Sequence, residues 1–185
     1  MKRVKFGLLG VIMVILVLLM FSVLAGIRQK SFNFVVKEGL KKADIHIGNF
    51  SFFQTKGGGM EWELRARKAE LFENESKAVL EGIKVTIHTE SGMEISFQGD
   101  EGTIDTKRKN FHIQNKTLPI QINMSNGYQI EMMQVDWDNE KRQIFSEFPI
   151  IIHGGNWRVQ GSGFIFKTNS EEFTIKRDIE AQVMS

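Results

Sequence analysis

The chain contains no cysteine, which excludes a disulfide framework, a thiol nucleophile and any cysteine-based metal site. Its two prolines, Pro119 and Pro149, each fall near the start of an apolar stretch, where a missing N–H is tolerated at an edge or a bulge. The four histidines, His46, His88, His112 and His153, have no second histidine or carboxylate at ligand spacing, so each reads as solvated or core-edge. No nucleophile motif or metal triad is present. Three glycines at 57–59 are followed by neither Gly-Lys-Ser/Thr nor a helical pattern, and read as a hairpin loop rather than a phosphate cradle. Charge of one sign is also missing. The formal net charge is +2, and setting aside Lys2, Arg3 and Lys5 leaves 21 basic against 22 acidic residues. That balance of −1 offers nothing to attract nucleic acid. No cofactor and no catalytic residue is expected. Glu61, Glu63, Glu94, Glu131 and Asp136 fall in an outward parity or at bends and read as solvated. A cross-strand carboxylate pair, which would make the chain an envelope hydrolase, is invisible in sequence.

What is present begins with residues 6–27, an uncharged run whose sole polar residue is Ser22, flanked by Lys2, Arg3 and Lys5 before and by Arg28 and Lys30 after. As a helix it would be about 33 Å long, enough for a hydrocarbon core of roughly 30 Å. It reads as an uncleaved single-pass anchor, with residues 1–5 as a cytoplasmic tail and the remainder on the outer side. The competing reading is a cleaved signal peptide, for which Ala25 supplies the small residue. Residues 28–43 form a mixed-charge connector without alternation, and residues 44–185 form the main domain.

That domain is organised around residues 62–71. Trp62, Leu64 and Ala66 alternate with Glu63 and Arg65, the period of two of a half-buried strand. Ala69 and Leu71 then continue in the other parity, as a bulge or bend requires. The frame recurs as Ile95, Phe97, Gly99, Gly102, Ile104, as Tyr128, Ile130, Met132, Val135, Trp137, and as Trp157, Val159, Gly161, Phe164, Phe166. The starts are 33, 33 and 29 residues apart, an internal repeat. Seven positions after each copy an apolar residue resumes, at Ala78, Phe111, Ile144 and Phe173, across a polar turn. A 33-residue period also suits helical repeats, but this spacing of apolar residues is not helical. The expectation is an all-β antiparallel stack or jelly roll built of four strand-pair repeats.

The inward parity carries Trp62, Leu64, Ile95, Phe97, Phe111, Ile113, Ile130, Met132, Trp157, Val159, Phe164 and Phe166, continued by Phe173 and Ile175. These residues make either a packed core between two layers or, if the layers splay, an apolar trough. Fifteen phenylalanines and nine methionines suit both, because such side chains fill cores and also adapt to acyl chains.

Phe52, a glycine-rich turn, Trp62-x-Leu64-x-Ala66-x-x-Ala69, and the Gly92, Gly127 and Gly155 openings of successive strand pairs together resemble the LptC family of the lipopolysaccharide-export system. The resemblance implies a twisted β jelly roll in the periplasm, held in the inner membrane beside an ATP-binding-cassette transporter. It also implies that the apolar groove receives the acyl chains of lipopolysaccharide and passes them to a soluble periplasmic bridge protein of the same fold, joined edge to edge. The docking edge it suggests is residues 173–183, with Phe173, Ile175, Ile179 and Val183; the strand around residues 45–52 would face the transporter. The alternative is a membrane-anchored scaffold that organises envelope proteins and binds no lipid.

Overall fold

The computed structural model describes residues 43–184. The expected anchor at 6–27 and nearly all of the connector lie outside the described residues. The described unit is all-β, with eleven antiparallel strands: β1 (Ile45–Lys56), β2 (Gly59–Phe72), β3 (Lys77–His88), β4 (Glu94–Asp105), β5 (Phe111–Gln114), β6 (Ile120–Met124), β7 (Gln129–Met132), β8 (Gln134–Asp138), β9 (Gln143–Gly154), β10 (Trp157–Lys167) and β11 (Glu172–Val183).

The change of parity inside β2 is a bend shared with its neighbours. Trp62, Leu64 and Ala66 are buried, and burial resumes at Ala69. On β3 it passes from Leu80 to Ile83, and on β4 from Gly99 to Gly102. The ladder keeps one register through the bend: Ala66 pairs Ile83 and Lys68 pairs Glu81, while Ile83 pairs Gly99 and Glu81 pairs Glu101. Asn49 on β1 and Gly82 on β3 take positive φ on this line, at 55° and 62°. No residue is inserted, so β1 to β4 turn their other faces inward along one line. At the far side the device is a true bulge. Asp178, with φ of 54°, is extra on β11 between the Gln160–Glu180 and Ser162–Arg177 pairs. Pro149 sits opposite Ser162, beside the shift in the β9–β10 register, where its missing N–H is tolerated.

The polar turns that precede β3, β5, β9 and β11 share one backbone feature. Ser76, Lys109, Arg142 and Glu171 all take the left-handed conformation, with φ of 50°, 64°, 52° and 57°. The β1–β2 loop is a two-residue turn with positive φ at both Gly57 and Gly58, 59° and 85°, the form that matches strand twist.

Sheet order runs β1-β2-β3-β4-β5-β8-β9-β10-β11, with β6 pairing β4 and β7, and β7 pairing β9. One end of β4 therefore pairs β5 and the other pairs β6. Where β5 and β6 part, an outer-face cleft of about 520 Å³ opens, lined by Gln98, Asn115, Gln121 and Asn123 among others. The sheet folds over on itself. Trp62 of β2 and Phe111 of β5 are not sheet neighbours, yet their rings lie 5.6 Å apart, and the apolar core fills the space between the two layers.

Candidate functional site

The structure gathers the inward residues into one interior. Trp62, Leu64, Ile95, Phe97, Phe111, Ile113, Ile130, Met132, Phe164 and Phe166 are buried, and Trp157 and Val159 are half-buried. Aromatic rings run through it from edge strand to opposite layer: Phe50, Phe52, Trp62, Phe111 and Trp137, with successive centroids 6.2, 5.8, 5.6 and 5.9 Å apart. These side chains fill the space with one another, so the layers are closed. A second cluster, Trp157, Tyr128 and Phe173, is more exposed than the first.

The four residues of the suggested docking edge lie on β11, the last strand in the sheet order. Phe173, Ile179 and Val183 are exposed and Ile175 is half-buried against Phe164. At the other end β1 is equally long and, among the described residues, has no strand on its outer side, and it exposes Ile45 and Phe53. An edge of this length without a partner is a template for another strand.

Glu61 corrects the expectation of a solvated carboxylate. It is the extra residue at an irregularity between β1 and β2, where Gln54 pairs Trp62 and Thr55 pairs Met60. This turns it inward to 8% exposure. There it accepts hydrogen bonds from the Arg142 guanidinium and from Gln54 Nε2, the latter 2.9 Å away. Arg142, on the β8–β9 turn, also reaches Glu90 Oε1 at 2.9 Å, and Lys56 reaches the same oxygen at 3.1 Å. Burial opposes the charge on Arg142, but Glu61 and then Glu90 outweigh it and raise its pKa. Hydrogen bonds from Lys56 and then Arg142 hold Glu90 below the ordinary carboxylate value. Beside this pair, Trp62 Nε1–H donates to Asn139 Oδ1 at 3.2 Å and Ser91 Oγ donates to Glu171. The turn ends of one layer are thus clasped to the other across one mouth of the interior. Arg142→Ala leaves the buried Glu61 with Gln54 but without its cation, and should cost about 2 kcal/mol in urea unfolding; a loss within error of zero would mean the clasp contributes no stability.

The chain matches the family model for lipopolysaccharide-assembly, LptC-related proteins over residues 10–184. It belongs to the LptC family. Membership places it among the components of lipopolysaccharide transport. No curated protein sequence matches the chain. Among solved structures it is similar to LptH of Pseudomonas aeruginosa, described as the LptA-homologous periplasmic component of the lipopolysaccharide transport device. Identity is 12%, the TM-score is 0.52, and the match covers 67% of this chain and 95% of that one. At that identity the likeness establishes the shared fold.

In this LptC-family chain the four histidines are solvated or at the core edge, as expected, but three of them lie beside a carboxylate of a neighbouring strand. His112 and Asp136 face each other across β5 and β8, with Nδ1 and Oδ1 2.8 Å apart. His46 lies 3.5 Å from Glu70, and His153 3.4 Å from Glu131. Sequence spacing missed all three pairs because each joins neighbouring strands. Burial pushes the His112 imidazole down, but the hydrogen bond and charge of Asp136 more than reverse this, so its pKa is raised. A raised folded-state value stabilises fully below the unfolded pKa, about 6.5, and the contribution disappears as pH rises through the folded value. Thermal melts should therefore show a stability component lost on going upward from about pH 6.5. Asp136→Asn should remove that component, and an unchanged profile would show that the pair does not control it.

Proposed function

We propose that this protein carries lipopolysaccharide from the inner toward the outer membrane. In this reading residues 6–27 anchor it in the inner membrane with the N-terminus cytoplasmic, and residues 44–185 stand in the periplasm as a jelly roll of four copies of one strand-pair unit. The domain takes acyl chains from an ATP-binding-cassette transporter into its apolar interior and passes them to a soluble bridge protein of the same fold, docked on β11; β1 faces the transporter. The work is transfer, with no bond made or broken.

The observation that carries the reading is an apolar interior running between two layers whose terminal strands are both long and, among the described residues, unpaired on their outer sides. Each buried methylene is worth roughly 0.8 kcal/mol, so an acyl chain of about twelve carbons exposed in transit would lose on the order of 10 kcal/mol. A continuous apolar path removes most of that barrier. Because the layers are closed by their own side chains, cargo must displace them. The half-buried cluster of Tyr128, Trp157 and Val159 is the least closed part. The same tight packing favours a second reading, an anchored scaffold whose interior never admits lipid.

Photo-crosslinking in intact cells separates the two. A reactive residue at Phe97, Met132 or Trp157 should yield lipopolysaccharide adducts, while one at Glu63 or Glu94, on the outward parity, should not. A folded, complementing protein with no lipid adduct at any inward position would leave the scaffold.

A further inference from the structure

Trp137 holds an unanswered hydrogen bond in the interior. Its side chain is 1% exposed, paired with Phe111 of β5 and Ile144 of β9 and stacked on the Phe111 ring at 5.9 Å. Its indole Nε1–H has no acceptor among the described residues. Of the side chains with such an atom among the described residues, Gln54, His153 and Arg158 are only half-buried. Trp62 supplies the contrast, since it is equally enclosed but its N–H is answered by Asn139. Buried donors are almost always paired, and leaving one unpaired carries a desolvation cost that a phenylalanine in the same place would avoid.

Position indicates what the donor is for. Trp137 is the penultimate residue of β8, just inside the turn that Asn139 and Arg142 clasp to the opposite layer. A lipid whose tails run inward from this mouth would place the oxygens nearest its head beside Trp137, and bare methylenes deeper. The methylenes have no lone pair to offer the indole, whereas a hydroxyl or an ester carbonyl has.

We infer that Trp137 Nε1–H is a cargo-binding donor for an oxygen within the first few carbons of an acyl chain, so that the interior prefers oxygenated chains to plain hydrocarbon. The inference rests on the lipid-carrier reading above and adds a specificity to it. Loading would give this donor a partner in a dry site, where polar discrimination is strongest.

The test uses the full chain in lipid nanodiscs with three phospholipid probes bearing the same terminal diazirine. One has 3-hydroxyacyl chains, one plain acyl esters, and one chains joined to the backbone through carbon–carbon bonds, with no ester, ether or hydroxyl oxygen. Adducts on β5, β8 and β9 are counted by mass spectrometry. The wild type should label with the hydroxylated or ester probe about five to ten times more than with the carbon-linked probe, and whichever of the first two leads identifies the oxygen. In Trp137→Phe the ratios should fall to about one. Comparing ratios cancels differences in partitioning and in overall labelling. If Trp137→Phe does not fold, benzothienylalanine at position 137 replaces the N–H by sulfur at nearly constant volume and serves instead. Wild-type ratios near one, or ratios unchanged in the variant, would overturn the donor role while leaving the carrier reading intact. No interior adduct with any probe would overturn the carrier reading and the inference with it.

Discussion

Truncation after Lys176 abolishes binding of the soluble bridge protein while the domain stays folded. This is the expected result if β11 is the docking edge. The deletion removes Ile179 and Val183, 58% and 80% exposed, together with the outer hydrogen-bonding side of the strand beyond the bulge at Asp178. Phe173 and Ile175 remain, paired to Phe166 and Phe164, so the edge of the core stays covered. β10 keeps its ladder to β9 along its whole length. Lys176 and Arg177 both meet Glu147, but exposed ion pairs contribute little. Losing several main-chain hydrogen bonds and two apolar contacts of an added strand should weaken binding by about a hundredfold or more. The melting temperature should drop only a few degrees. Biolayer interferometry against the bridge protein, with a thermal melt of the same sample, reads both. Retained affinity would move the docking site away from β11.

Gly102→Ala should destabilise the domain severely for the addition of one methyl group. Gly102 lies between Leu80 of β3 and Ile113 of β5. A Cβ there would overlap the His112 carbonyl oxygen and come within 2.9 Å of Ile83 Cδ1 and 3.2 Å of the Ile113 Cα. Two of these three atoms are backbone and cannot turn aside, so β4 and β5 would have to separate. The expected cost is about 3 kcal/mol or more, at or above the top of the usual range for overpacking in a core, or roughly 10 °C in melting temperature for a domain of this size. Gly92→Ala is the matched control. Its φ is +92° but nothing lies within 4 Å of its Cβ, so only backbone strain of about 1 kcal/mol is expected. Similar losses from both substitutions would mean that strand approach at Gly102 is not the constraint.

Gly102 was legible as a position before its reason was. It stands in the apolar frame shared with Ala69, and a glycine in an inward position signals a close backbone approach; which backbone approaches could not be read. The parity change in β2 was legible for a similar reason, since a period of two has to break where a strand bends. The charged pairs were not. Arg142 and Glu61 are 81 residues apart and His112 and Asp136 are 24 apart, and neither spacing follows a strand or helix period. Glu61 was misread because an irregularity opposite Thr55 shifts it off the alternation. Trp137 was visible in the repeat frame, but its unpaired N–H depends on every acceptor that could have reached it.

By itself the sequence determined most of the inward parity, with Glu61 and Phe173 as exceptions, and where the chain turns. Those properties are local, set by side-chain alternation, by turn chemistry and by the absence of cysteine or catalytic motifs. It also carries the apolar run at residues 6–27, whose length alone argues for an anchor. Only the tertiary structure decided how closely the two layers approach, and therefore that the interior is filled by its own side chains. The separation of layers, the clasp at Arg142 and the orphan donor at Trp137 all depend on residues brought together by folding the sheet over itself, and alternation along one strand cannot encode the distance to another.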